Sequence, residues 1–244
     1  MAEGGVLKSG NTITGLRLSD GRELQGKMFV DTSYEGDLMA AAGVPYVTGR
    51  EANSEFHEEL NGIRVNDRKK TGSISPFIIP GDRSSGLLPL VEGKRPGADG
   101  EGDHRVQAYN YRMCLTDADV NRRPVEKPAN YDPKLYELAA RWILAHPKAT
   151  LGKSLFKLTP MPNRKTDSNN QGPFATDFVG MSYDYAEADR GRREEVARAH
   201  RDYIQGFLWF LGNDPRIPAS LRAEVSRWGL PKDEFEKNGN WPTQ

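Results

Sequence analysis

The sequence has one cysteine, no paired histidines, no long apolar run and no surplus of charge, and each absence closes a class of function. Cys114 stands alone among 244 residues, so an intramolecular disulfide and a thiolate metal cluster are both excluded. It lies in a strand-like run, where a small buried apolar side chain is the expected role. His57, His104, His146 and His200 are far apart and form no HExxH or comparable ligand pair, so no metal is expected. No segment approaches the ~20 apolar residues that cross a bilayer, and the start has no signal-peptide core. Acidic and basic residues number 34 each, and no dense Lys/Arg stretch could track a phosphate backbone or an anionic leaflet. Neither nucleic acid nor membrane is an expected partner. The densest basic group, Arg190, Arg192 and Arg193, alternates with Glu194 and Glu195 at helical spacing and reads as a solvated face. A phosphate-gripping GxGxxG turn is also missing.

What is present suits a soluble globular chain: 36% apolar residues over a length sufficient for one large or two small cores. Residues 11–18 and 23–32 read as strands joined at Ser19-Asp20-Gly21-Arg22, where Asp-Gly suits a tight hairpin. A short apolar helix over 38–42 follows, closed by Gly43 and Pro45. Residues 49–103 are rich in Gly, Pro and Ser and predict loops and short strands, with 93–103 as a mobile tip. Residues 105–115 alternate as a strand, with Tyr111, Met113 and Leu115 on one side and Asn110, Arg112 and Cys114 on the other. Asp132 as N-cap and Pro133 at the first position open a helix with Leu135, Leu138, Ala139, Trp142 and Ile143 on one stripe, ended by Pro147. Further helices are expected over 186–211 and 218–228, and residues 158–180 must be a long ordered loop or a pair of strands. The order of elements points to an α+β layer, helices packed on an antiparallel sheet.

Two polar clusters could carry chemistry. The segment Asp31-Thr32-Ser33-Tyr34-Glu35-Gly36-Asp37 places three carboxylates and two aliphatic hydroxyls where a strand end feeds a helix N-terminus, a position that holds ligands; the alternative is that Asp37 caps the helix. The second cluster is Asn163, Arg164, Lys165, Asp167, Asn169 and Asn170, with Asp177 beyond, and its alternative is a structural turn with Asx hydrogen bonds. Arg50 and Glu51 could order a loop through an ion pair or touch a ligand. Tyr203, Phe207, Trp209 and Phe210 share one helix, where core packing is a better account than a sugar-stacking platform.

The run from Phe29-Val30-Asp31-Thr32 through Gly36-Asp37-Leu38 to Gly43-Val44, followed by Gly49-Arg50-Glu51, resembles a bacterial family of FAD-dependent oxidoreductases, some of whose members carry labels tied to polysaccharide breakdown. Ser85-Gly86-Leu87-Leu88-Pro89, Asn110-Tyr111-Arg112-Met113-Cys114-Leu115-Thr116, Lys165-Thr166-Asp167-Ser168-Asn169-Asn170, Trp228-Gly229-Leu230, Asp233-Glu234-Phe235 and Trp241-Pro242 agree with it. The resemblance implies a two-domain Rossmann-type flavoprotein. Residues 1–48 would be a returning hairpin and cofactor-contacting turn, and 49–244 a substrate-side α+β domain. It gives Asp31, Thr32, Glu35, Gly36 and Asp37 a place beside FAD. Arg112 and Lys165 would steady a reduced flavin, and Asp167 would take the substrate proton. Arg50, Glu51, Asn110, Asn163, Asn169 and Asn170 would touch a small-molecule substrate, a sugar or sugar acid by family association. Family members begin with a GxGxxG turn and continue beyond the segment like residues 240–244, so the chain is expected to be a piece cut at both ends and inactive alone. The competing expectations are a non-catalytic carbohydrate- or protein-binding module and a poorly folding remnant with bare strand edges.

Overall fold

The structure is a computed structural model that describes residues 4–65, 74–94 and 96–242. It divides after Gly49 into two units. In the first, β1 (Val6–Ser9), β2 (Thr12–Arg17) and β3 (Glu23–Gln25) form an antiparallel sheet in chain order. The turn between β2 and β3 is held by the Arg22 amide donating to Asp20 Oδ1 at 3.1 Å. The sequence did not single out β1. The strand expected over 23–32 stops at Gln25, and residues 28–35 join no ladder among the described residues. A strand persists only where a neighbour takes its N–H and C=O groups; without one, the apolar pattern of Met28 and Val30 leaves both side chains exposed. The short helix α1 (Asp37–Ala41) follows and ends before Gly43, whose positive φ of 79° closes it.

The second unit opens with few regular elements. It contains α2 (Asn53–Phe56), a 3₁₀ turn over Arg83–Ser85 and isolated bridges between Arg50 and Asp103 and between Phe77 and Leu87. Within residues 93–103, the stretch expected as a mobile tip, Glu101 O accepts from Ile63 N at 2.7 Å, Gly100 N donates to Ile63 O at 2.8 Å and Gly100 O accepts from Asn53 N at 2.9 Å.

The remainder is an α+β layer. The strands are β4 (Met113–Thr116), β5 (Arg122–Arg123), β6 (Phe156–Met161), β7 (Lys165–Asn170) and β8 (Leu230–Pro231), and the helices are α3 (Glu137–Ala145), α4 (Arg190–Asn213) and α5 (Ala219–Ser226). β7 is central in an antiparallel sheet of order β4-β7-β6, and β5 pairs with β8. The ambiguous stretch after residue 158 is thus largely a hairpin. Asn163 and Arg164 at its tip both have positive φ, 61° and 57°, the signature of a type I′ turn whose twist matches the strands it joins. The strand expected over 105–115 narrows to β4, because β7 offers partners only from Met113 to Thr116.

Capping and periodicity set the helices. Asp132 accepts from Lys134 N at 2.9 Å in the 3₁₀ turn before α3, and Asp189 accepts from Arg192 N at 2.8 Å at the start of α4. Ala139, Ala140, Trp142 and Ile143 of α3 and Ile204, Phe207, Leu208 and Leu211 of α4 are buried with Met113, Leu115, Leu151, Leu155 and Phe156. Each such large side chain contributes roughly 1.5–3 kcal/mol on leaving water. The Tyr136 hydroxyl enters this core to donate to Tyr203 O at 2.9 Å. It does so past Gly206, where a Cβ would lie 2.2 Å from the hydroxyl oxygen.

Candidate functional site

In the first unit, the polar turn before α1 is closed by its own side chains. The Asp31 carboxylate accepts from the Leu38 and Met39 amides at 2.9 and 3.0 Å and from Ser33 N and Oγ at 2.9 and 2.7 Å. Ser33 Oγ in turn accepts from Gly36 N at 3.1 Å and Asp37 N at 3.3 Å. The four amides from Gly36 to Met39, which at a helix start would be open to an anion, therefore have partners. The capping carboxylate is Asp31, seven residues before Leu38, rather than Asp37, which lies inside the first turn. The Ser33 hydroxyl, followed by the Ser33 and Met39 amides, holds the Asp31 carboxyl down to a pKa of about 2. Gly36 makes the bend with φ 68° and ψ 36°, a conformation costly for a residue with a Cβ. Thr32 and Asp37 are exposed, and Glu35 is half-buried.

In the second unit, strand alternation sorts the sheet into two faces. Tyr111, Met113 and Leu115 point into the core, as do Thr166 and Ser168 of β7, whose hydroxyls bond each other at 2.7 Å. The opposite face carries Asn110, Arg112 and Cys114 beside Lys165, Asp167 and Asn169. Arg112 grips Asp167 with two parallel hydrogen bonds, Nε to Oδ1 at 2.9 Å and a terminal guanidinium nitrogen to Oδ2. Asn110 Nδ2 donates to Asn169 Oδ1, which also accepts from the Asn170 amide at 2.7 Å, while Asn110 Oδ1 is buried without a hydrogen bond.

This face opens into a cleft of about 470 Å³ whose walls include Arg112, Cys114, Asn163, Lys165 and Asp167. The loop after β8 forms the other wall through Glu234, Phe235 and Pro242. Lys165, its side chain only 10% exposed, reaches Asp233 Oδ2 at 2.9 Å and also bonds Glu234 Oε1. Glu234 first, then Asp233, pushes the Lys165 ammonium above the ordinary lysine range despite the opposing effect of burial. The Asn121 amide and then Lys165 draw Asp233 below the usual carboxylate range. Burial, reinforced by Glu234, raises the Cys114 thiol, so it is neutral rather than a nucleophilic thiolate at physiological pH. Asn240, buried and with positive φ, clasps the loop by donating to Lys232 O at 3.0 Å and Glu234 O at 2.9 Å.

The structure thus gathers Arg112, Asn163, Lys165 and Asp167 around one cleft, with Asn110 and Asn169 continuing the same row. Asn170 falls on the alternate face of β7. Arg50 does not line the cleft: it pairs with Asp103 through Nε at 2.7 Å and a second guanidinium contact, on a backbone bridge between the same two residues, and draws Asp103 below its usual range. Glu51 is adjacent to it and likewise outside the cleft. Sequence reasoning missed Asp233, Glu234 and Phe235. The signal was two adjacent carboxylates and an aromatic in a Pro/Gly/Asn-rich loop after a strand; their link to Lys165 spans 68 and 69 positions and leaves no local pattern.

Among known proteins, a family model described as FAD dependent oxidoreductase matches residues 3–244. No curated protein and no solved structure gives a significant match.

Proposed function

The chain belongs to the FAD dependent oxidoreductase family, and from that membership we propose that the cleft on the β4-β7 face binds a small, neutral, polyhydroxylated substrate, a sugar or sugar-like polyol, for oxidation. The observation that carries this reading is the state of the two cations in the cleft. Arg112 is bonded to Asp167, and Lys165 lies between Asp233 and Glu234. A substrate carboxylate would have to displace a carboxylate already in place. A neutral hydroxyl can instead donate to Asp167 or Glu234 and accept from Arg112, leaving both pairs intact.

FAD is the cofactor of the family, and the turn at residues 31–37 fits its hydroxyl-bearing portion but not its diphosphate. Thr32, Glu35 and Asp37 would hold the polyol. The amides from Gly36 to Met39, bonded to Ser33 and Asp31, are not open to phosphate. Bound FAD would supply the two-electron acceptor for the substrate's hydride equivalent. We assign the unit before Arg50 to the cofactor and the unit from Arg50 onward to the substrate. Asp167 takes the proton of the reacting hydroxyl on its carboxylate, and Arg112 fixes that carboxylate's orientation. Lys165, its pKa raised, remains a fixed cation that anchors residues 233–234 and does not serve as base.

The closed amides of α1 favour a second reading, a carbohydrate-binding module without redox chemistry. Two titrations separate the readings. Methyl β-glucopyranoside followed by saturation-transfer NMR tests the cleft: binding lost in Arg112→Ala supports it, and no binding to the unaltered chain overturns both readings. FAD followed by its visible absorbance tests the oxidoreductase role, and sugar binding with no flavin binding would leave the module.

A further inference from the structure

Phe235 stands out on the cleft wall. It is 39% exposed, and its backbone is left-handed at φ 50°, ψ 36°, a conformation unfavourable for a residue with a Cβ. Glycine or asparagine would take that position without strain. The neighbouring loop over-determines the conformation: Asn238 N and Asn240 N both donate to Phe235 O, at 2.8 and 3.0 Å, while the Asn240 side chain fastens the carbonyls on either side of Asp233. Strain held in place by surrounding bonds, at a large, part-exposed apolar residue lining the cleft, marks a position kept for contact rather than for folding. The donors and acceptors of Asp167 and Arg112 across the cleft, with Glu234 beside Phe235 on its own wall, supply the polar half of a binding surface.

Resting on the reading of the cleft as a polyol site, we propose that Phe235 is its specificity-determining platform, selecting a ring-closed sugar over an open-chain polyol. A pyranose has one face of aligned C–H bonds with the hydroxyls around its edge. The C–H face packs on the negative face of an aromatic ring while the edge hydroxyls reach the carboxylates and guanidinium. An alditol of the same size presents no such face and adds the entropy of ordering its chain.

The test uses the full chain and two probes, methyl β-glucopyranoside and glucitol, titrated by saturation-transfer NMR, with thermal unfolding followed in parallel. The unaltered chain should favour the pyranoside by about fivefold or more, and Phe235→Asn should abolish that preference through a loss of about tenfold in pyranoside affinity alone. Because asparagine relieves the left-handed strain, the variant's melting temperature should hold or rise; Phe235→Tyr should keep the preference. Equal binding of both probes by the unaltered chain, or an unchanged preference in Phe235→Asn, overturns the platform while leaving the polyol site standing. Binding of neither probe overturns the site itself. A large fall in melting temperature for Phe235→Asn would show that the ring serves the fold, and would also overturn the proposal.

Discussion

The two units use the same kinds of residue in opposite ways. Residues 4–49 leave Met28, Val30, Tyr34 and Val47 exposed, and among the described residues of that unit Ala42 is the one apolar residue counted in the buried core set. Its order comes from hydrogen bonds, with the Asp31 carboxylate and the Ser33 hydroxyl organising the whole turn. The unit from Arg50 encloses Tyr136, Phe156, Phe207 and Phe210 almost completely, and its polar residues are laid out on the reverse of the sheet that covers this core. Polar networks can define a local shape, but apolar burial supplies most of the free energy that resists unfolding. The segment proposed to face the cofactor thus lies in the unit with the weaker packing, and the cleft in the stronger.

The largest break in this comparison should come from cavity mutations. Phe207→Ala is expected to cost about 3–5 kcal/mol in a urea titration, whereas Val30→Ala, at a position 74% exposed, should stay within about 0.5 kcal/mol. Comparable losses from the two would mean that the first unit has a core of its own. Acid should separate the units next. Burial lowers the His200 imidazole below its ordinary 6.5, so the folded protein binds that proton later than the unfolded chain does. Its contribution is complete above about pH 6.5 and declines as the pH falls toward the folded value; in His200→Gln this part of the slope should vanish from pH-dependent melting curves. Asp31 runs from an ordinary 3.8 down to about 2, so its bonds contribute fully above 3.8 and are lost only as the pH falls through about 2. A more local effect is expected from Asp31→Ala: faster hydrogen exchange at the Leu38 and Met39 amides, with no change at the amides of α4. The smallest effect is on stability at the Arg112–Asp167 pair, which is too exposed to contribute more than about 1 kcal/mol. Asp167→Asn should therefore leave the melting temperature nearly unchanged while, on the proposed role of Asp167 as base, abolishing any substrate oxidation with FAD supplied.

The helices of the second unit were legible because caps and apolar period agree along the chain: Asp132 and Pro133 before α3, Asp214-Pro215 after α4, Gly229 after α5. The α+β class followed from them. Residues 28–32 misled, since their apolar pattern suits a strand, but a strand needs a neighbour that sequence alone does not supply. Arg112, Lys165 and Asp167 were singled out by residue type and family resemblance, but their meeting in one row was not readable, because residues 158–180 left a loop and a strand pair both open until β4 and β7 were seen to pair. Nor was the far wall of the cleft, because Asp233, Glu234 and Phe235 reach it through chain reversal rather than local spacing.

The two-sided character of β7 limits how this cleft can be altered. Lys165, Asp167 and Asn169 alternate with Thr166, Ser168 and Asn170, so cleft face and core-side face are successive letters of one six-residue word. Exchanging one of the outward letters changes the cleft alone. Inserting or deleting one, however, would turn the hydroxyls outward and drive a lysine and an aspartate into the core at a single stroke. Length changes are thus confined to the turn at residues 162–164 and the loop at 232–240, and new specificities built on this scaffold have to be sought there or by substitution.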